Sequence, residues 1–377
     1  MLAVLTTVQA PTRAARSLAG RVAEKAKGRL IVAGDRKGPA AYDLPDATFL
    51  SLTAQMSGPF ELGRRLPTGH YCRKNIAYLE AVRQGAACIY ESDDDNAPLP
   101  CWRPREEFLA AVRVVARPNG EGLAGVSRWV NVYRYFTEQL IWPRGLPLDE
   151  IRTPVPATID HGWTDPDITR RPHAAAAGSA AAPRPRPGDP SHGVVWRAPI
   201  QQGLVNGAPD VDAIWRLTLD RPFEFDGGQS VCLEPGNWCP FNTQSTWWWP
   251  VAYPLLYVPS HCSFRMCDIW KSFVAQRCLW ELGLGVVFHA PEVVQERNPH
   301  NLMRDFSDEI PGYQRNRELA QVLAGTPLEP GEGAVASNLR HCYEALVAAG
   351  LLPVAELDLV GTWLADLGRL GVGAAHP

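Results

Sequence analysis

The stretch 73-RKNIAYLEAVRQGAACIYESDDDNAPL-99 decides how the chain is read. Its first part carries Ile76, Leu79 and Val82 at helical spacing and stops at Gly85, a residue type that commonly ends helices. The run 86-AACIYES-92 then reads as a buried strand. Asp93, Asp94 and Asp95 follow where that strand ends, with Glu91 two residues before them. In open α/β sheets ligands bind at the carboxyl ends of strands. Clustered carboxylates repel one another, and a divalent cation that prefers oxygen ligands, Mn²⁺ or Mg²⁺, relieves that repulsion. The usual cargo of such a cation is a diphosphate. A solvated acidic loop is the alternative reading.

Upstream, 2-LAVLTT-7, 29-RLIVAG-34 and 47-ATFLSL-52 read as strands, with a helix over about 11–27. Strands alternating with helices predict a parallel, doubly wound sheet. Downstream, 125-GVSRWVNVYRYF-136 is strand-like. The Ala/Pro/Arg-rich run 171–193 has the composition of a disordered surface insertion, taken as 165–192. A helix is expected from about 266 to 282, with Trp270, Phe273, Val274 and Cys278 on one face, followed by the strand 285-GVVFHA-290. From 314 onward two or three amphipathic helices are expected as a small bundle. No internal repeat is present.

Further candidates cluster near strand ends. In 34-GDRKGP-39, Asp35 suits a nucleoside, and Arg36 or Lys37 a phosphate; an exposed turn is the bland alternative. Arg73 and Lys74 begin a helix, where cations oppose the helix dipole unless an external anion is bound. Thr7, at the end of the first strand, and Asn75 complete the expected nucleotide-binding set. The triplet Trp247–Trp249 is either core or a stacking platform for a sugar ring. Asp268, expected as a helix N-cap, is either a plain cap or a general base for an acceptor hydroxyl.

The totals exclude some classes. A net charge of −3 over 377 residues leaves no basic excess for nucleic acid and no polybasic stripe for a membrane. No stretch approaches the roughly 20 apolar residues of a spanning helix. The start reads as a buried strand, not a signal peptide. The nine cysteines are scattered, odd in number and without a CxxC, which predicts free thiols in a reducing, cytoplasmic compartment. A homo-oligomer is compatible with these totals.

Together, 34-GDRKGP-39, 49-FLSL-52, 73-RKNIAYLEAV-82, the acidic cluster, 130-VNVYRYF-136, 142-WPRGLPL-148, 201-QQGLVNGAPDVD-212, 276-QRCLWELG-283 and 342-CYEALVAAGLLPVAELDLVGTWLADL-367 resemble, in this order, the glycosyltransferase-like half of the plant STELLO proteins. Those are Golgi proteins that associate with cellulose synthase. The chain is more distantly similar to the UDP-arabinopyranose mutases. The resemblance implies a GT-A-like nucleotide-diphospho-sugar transferase fold, an α/β/α sandwich with a small C-terminal helical bundle. Residues 1–150 would form the donor half, 193–313 the acceptor half and 314–377 the bundle.

It further implies a UDP-sugar donor, Mn²⁺ or Mg²⁺ on Asp93, Asp94 and Asp95, and Asp210 and Asp212 along the donor–acceptor cleft. Arg144 corresponds to the arginine that becomes glycosylated in the mutases. Three functions follow as expectations: transfer from UDP-sugar to a hydroxyl acceptor, a mutase or self-glycosylating protein using Arg144, and a non-catalytic scaffold for a polysaccharide synthase. STELLO proteins carry a membrane anchor before this region and a second domain after it. A soluble relative or an incomplete chain is therefore expected, with the Golgi replacing the cytoplasm if an anchor precedes it. Both families place a histidine near 294–295, where this chain has Val294 and Gln295, with His289 nearby; weak metal binding is the expected consequence.

Overall fold

A computed structural model describes residues 1–109, 112–118, 127–159, 196–297 and 301–373. The expected insertion at 165–192 lies outside them. Ten described strands build the central sheet: β1 (Leu2–Thr7), β2 (Arg29–Gly34), β3 (Ala47–Leu50), β4 (Ile89–Ser92), β5 (Asn96–Pro98), β6 (Arg113–Val115), β7 (Ile200–Asn206), β8 (Val231–Leu233), β9 (Ser245–Trp248) and β10 (Val286–Gln295). Their order is β3-β2-β1-β4-β9-β7-β10-β8-β6, with β5 paired to β10.

The first four strands are parallel, as alternation of strands and helices predicts. In register, Thr7 lies beside Gly34, and Val4 beside Glu91. The expectation of a parallel sheet fails beyond β4: β9 runs antiparallel to both β4 and β7, and β10 antiparallel to β8 and β5. The physical reason is that 240–250 returns along the edge of β4 without a crossover helix, so the sheet is mixed. The sheet runs unbroken through residues of both expected halves of the one domain.

Alternation along β1 separates two layers. Ala3 and Leu5 join Leu18 and Val22 of helix α1 (Arg13–Ala26) on one face. Val4 joins Ile76 and Leu79 on the other. That opposite face holds α4 (Lys74–Arg83), which follows the short helices α2 (Leu52–Ser57) and α3 (Glu61–Arg65), and the helix Cys267–Trp280. Thr12 caps α1, its hydroxyl accepting from Ala15 N at 3.0 Å. Helix and strand bounds shift inward from expectation, to 74–83 and 89–92. Of the strand-like 125–136, Arg128–Trp129 pair as strand and Val132–Tyr135 make a 3-10 turn.

Three helices come last among the described residues, Leu302–Gly325, Val335–Ala348 and Ala355–Arg369. The boundary expected at 314 falls inside the first. Leu323, Leu339 and Trp363 share one apolar cluster with Phe273 and the sheet, so these helices close over the main core. The tryptophan triplet is core: Trp247 stacks on Trp102 at 5.5 Å, and all three side chains are buried. No helix among the described residues is long and apolar enough to cross a membrane. All nine cysteines are free.

Glu91 leaves the acidic cluster. Its position in β4 turns it into the core, where Lys271 Nζ approaches its two oxygens at 3.2 and 3.0 Å, Trp248 Nε1 donates at 2.7 Å and the Tyr78 hydroxyl also donates. A buried ion pair resists loss of one partner, because the survivor is left charged without compensation. Lys271→Met is expected to lower unfolding free energy by about 3–5 kcal/mol in urea titrations. A loss below about 1 kcal/mol, the size of an exposed pair, would contradict the role given to this pair.

Candidate functional site

The parallel order 3-2-1-4 reverses direction of winding between β1 and β4, the place where such sheets open a crevice. A cavity of about 510 Å³ lies there. It collects the segments after β1 (Thr7–Gln9), after β2 (Asp35–Lys37) and after β4 (Asp93–Asp95). Arg144, Asp210 and Asp268 reach it from distant parts of the chain. Ten of the fourteen residues singled out from sequence therefore line one cavity; Arg73, Lys74, Asn75 and Asp212 do not.

The acidic turn is held from several sides. Tyr71 Oη donates to Asp93 Oδ1 at 2.6 Å, and Lys74 Nζ approaches the same oxygen at 3.2 Å. Burial first, and the Asp93 charge second, push the Tyr71 hydroxyl well above its ordinary pKa, so it stays a donor. The Thr7 hydroxyl donates to the Asp94 carboxylate, and the Thr12 hydroxyl to the Asp94 carbonyl. Gln295 Nε2 donates to Asp95 Oδ2 at 2.9 Å. Burial and then the Asp93 charge push Asp95 up to about 7, and burial also raises Asp94.

These groups fit a hard cation of the kind bound by one or two carboxylates and completed by substrate phosphate oxygens. Asp95 Oδ1 and, on the same cavity wall, Gln244 Oε1 are buried acceptors without a donor among the described residues. They do not fit a cage made by protein alone. No group of three or more His, Cys, Asp or Glu among the described residues is arranged to hold a metal ion. His289 plays no part here: it is buried between Ser230 and Gln201, and burial holds it well below its usual pKa. Gln295 stands beside Asp95 instead.

Several candidates carry structure rather than contact. Arg73 is fully buried, bonded to Gln55 Oε1 at 2.9 Å and to the Gly63 and Leu66 carbonyls, so it pins α2 and α3 and does not reach a phosphate. Lys74 is buried behind Asp93 and neutralises it from within. Asn75 closes a two-way hydrogen bond with the Val258 backbone. Asp212 caps the helix Ala213–Leu219, accepting from Trp215 N at 2.8 Å and from Trp142 Nε1 at 2.6 Å; burial raises it to about 6. Asp35 lines the cavity, but its carboxylate accepts from Gly69 N and His70 N, which fixes the loop opposite β2. Arg36 and Lys37 are exposed at the rim.

The stretches WPRGLPL and QGLVNGAPDVD meet each other. Trp142 binds Asp212, while Arg144 Nε and NH2 each donate to Asp210 at 2.8 Å. The same guanidinium donates to both oxygens of Asp268, at 3.0 and 2.8 Å, and to the Arg265 carbonyl. Asp268 lies within the first turn of its helix, whose N-cap is Met266, so it is not the cap expected. Burial opposes the Arg144 charge, yet Asp210 and Asp268 hold its pKa well above the ordinary value; Arg144 in turn lowers Asp210. Gly145 permits this approach: its φ is +92° and a Cβ would lie 2.4 Å from Ile269.

Sequence reasoning missed Tyr71, Phe264, Arg216, Arg265 and Arg297, all on the cavity wall. Nothing in their spacing marks them, because they sit in loops and a short helix that only the fold brings together.

Residues 265–376 match the family model of the STELLO glycosyltransferases. The chain is 28% identical over 373 residues to "Probable glycosyltransferase STELLO2" of Arabidopsis thaliana, covering 94% of this chain and 43% of that protein. It is 27% identical over 301 residues to "Probable glycosyltransferase STELLO1" of the same plant, covering 76% of this chain and 34% of that one. The chain thus spans less than half the length of these curated relatives.

The raised Asp95 pKa has a sign. Between the ordinary 3.8 and about 7 the folded chain binds more protons than the unfolded one, so this group makes stability fall as pH rises through that window. Asp95→Asn is expected to raise the melting temperature of the ligand-free protein at pH 8 and to change it little at pH 4. An equal effect at both pH values would contradict the assignment.

Proposed function

We propose that the chain is a member of the STELLO family of glycosyltransferases, that it binds a UDP-sugar at Asp93–Asp95 in the manner of a GT-A transferase, and that it passes the sugar to a hydroxyl acceptor beside Arg144. The observation that carries this reading is the meeting of three parallel strand ends, with Thr7, Asp35 and the acidic turn, in one cavity.

Asp93 and Asp95 would hold Mn²⁺ or Mg²⁺, with Asp94 held in place by Thr7 and Thr12 to shape the turn. When bound, the cation supplies charge neutralisation for the diphosphate as it leaves. Arg36 and Lys37, exposed at the rim, suit phosphate oxygens. Asp35 positions the Gly69–His70 loop against which the nucleoside would lie. Asp268, oriented by its pairing to Arg144, is the candidate base of an inverting transfer.

Titration of UDP into the protein tests this. Binding is expected with Mn²⁺ and not with chelator. Asp93→Asn with Asp95→Asn should weaken it more than about 100-fold, beyond the cost of losing an outer-shell partner. Metal-independent binding unchanged in that double variant would sink the assignment; absence of UDP binding altogether would favour the scaffold role.

Arg144 is a poor nucleophile here. A guanidinium stays protonated, and this one already donates to two carboxylates and a carbonyl. Intact mass after incubation with UDP-sugars is expected to be unchanged. A stable hexose or pentose adduct that disappears in Arg144→Lys would overturn that conclusion.

A further inference from the structure

Besides Arg36 at the rim, four arginines line the cavity. Three have carboxylate partners: Arg144 with Asp210 and Asp268, Arg265 with Glu309 at 2.9 Å, and Arg297 with Asp305 at 2.8 Å. Arg216 has no carboxylate partner among the described residues. It is 5% exposed, lines the cavity, rests over the Trp215 ring at 5.4 Å and donates to the Pro209 carbonyl at 2.7 Å. Asp210, the carboxylate whose charge bears most on Arg216, already spends both oxygens on Arg144.

A guanidinium carries five donors, and a buried one is stable only when they and its charge are answered. Burial, then the charge of Arg297, push Arg216 down to about 10, with Arg265 adding to the effect. The largest charges acting on it are those of Arg297, Asp210, Asp220 and Arg265. Those acting most on Asp94 are Asp93 and Lys74, and on Asp95 they are Asp93 and Asp94. The acidic turn and the arginines thus bring opposite charges to one cavity. A cation that answers a diphosphate serves the acidic wall, and a second anion answers the arginine wall.

We infer that Arg216, flanked by Arg265 and Arg297, forms an anion subsite that takes the carboxylate or phosphate of an acidic saccharide. That this saccharide is the acceptor rests on the donor reading proposed above; the subsite itself does not. Arg216 supplies the open fork of donors suited to a planar carboxylate or a phosphate. Arg265 and Arg297 set the local potential while remaining tied to Glu309 and Asp305.

Calorimetric titration of glucuronate, glucose 6-phosphate and glucose into the nucleotide-free protein tests the inference. At least one acidic sugar should bind more than about tenfold tighter than glucose. The two acidic sugars separate carboxylate from phosphate. Arg216→Met should remove that advantage and leave the response to UDP with Mn²⁺ unchanged. If that variant does not fold by circular dichroism, Arg297→Gln takes its place and should weaken the acidic sugar alone. Equal binding of acidic and neutral sugars overturns the subsite. So does a parallel loss of UDP binding, which would assign these arginines to the donor. If UDP fails to bind the unaltered protein, the donor reading falls, while the sugar comparison still decides the subsite.

Discussion

Three consecutive carboxylates repel one another, and the turn at Asp93–Asp95 persists because each is held by a different element. Tyr71 and Lys74 bind Asp93 from the start of α4, Thr7 and Thr12 bind Asp94 from the end of β1 and the start of α1, and Gln295 binds Asp95 from the end of β10. That arrangement requires β1 and β4 to lie side by side and parallel, and β10 to bring its end across the sheet by way of β5. Relief is incomplete. Asp95 keeps a buried oxygen without a donor among the described residues and a raised pKa, and the proposed cation site rests on that oxygen.

The same economy of charge explains the opposite wall. Arg144 draws Asp210 from the loop after β7 and Asp268 from the helix Cys267–Trp280 onto one guanidinium, and Gly145 lets the backbones come close enough. Two sequence stretches far apart in the chain thus become one structural clamp. Below it, Glu91 and Lys271 tie β4 to the same helix through the core. Acid turn and arginine clamp are therefore fixed to one another by buried ion pairs, which suits the proposed transfer between two bound sugars.

The N-terminal sheet and its cavity were legible in the sequence because apolar runs of β1, β2 and β4 end at polar residues, and parallel pairing brings those ends together. What was not legible follows from non-local contacts. Glu91 reads as part of an acidic cluster, yet strand alternation turns it into the core. Arg73 and Asn75 open a helix like phosphate ligands, yet Gln55 and Val258, from other segments, claim their side chains. The antiparallel β9 has no helix before it to announce its direction. Arg216 lies on a seven-residue helix without a motif, and its guanidinium is held in the wall by the Pro209 carbonyl, which only the fold brings to it.

The most direct test of the central claim is a crystal structure with UDP and Mn²⁺, with the metal located by its anomalous scattering. The account predicts a manganese peak bound to Asp93 or Asp95 and to the diphosphate, with the nucleoside toward Asp35 and the Gly69–His70 loop. A peak elsewhere, or nucleotide seated against Arg216 with the acidic turn bare, would contradict it.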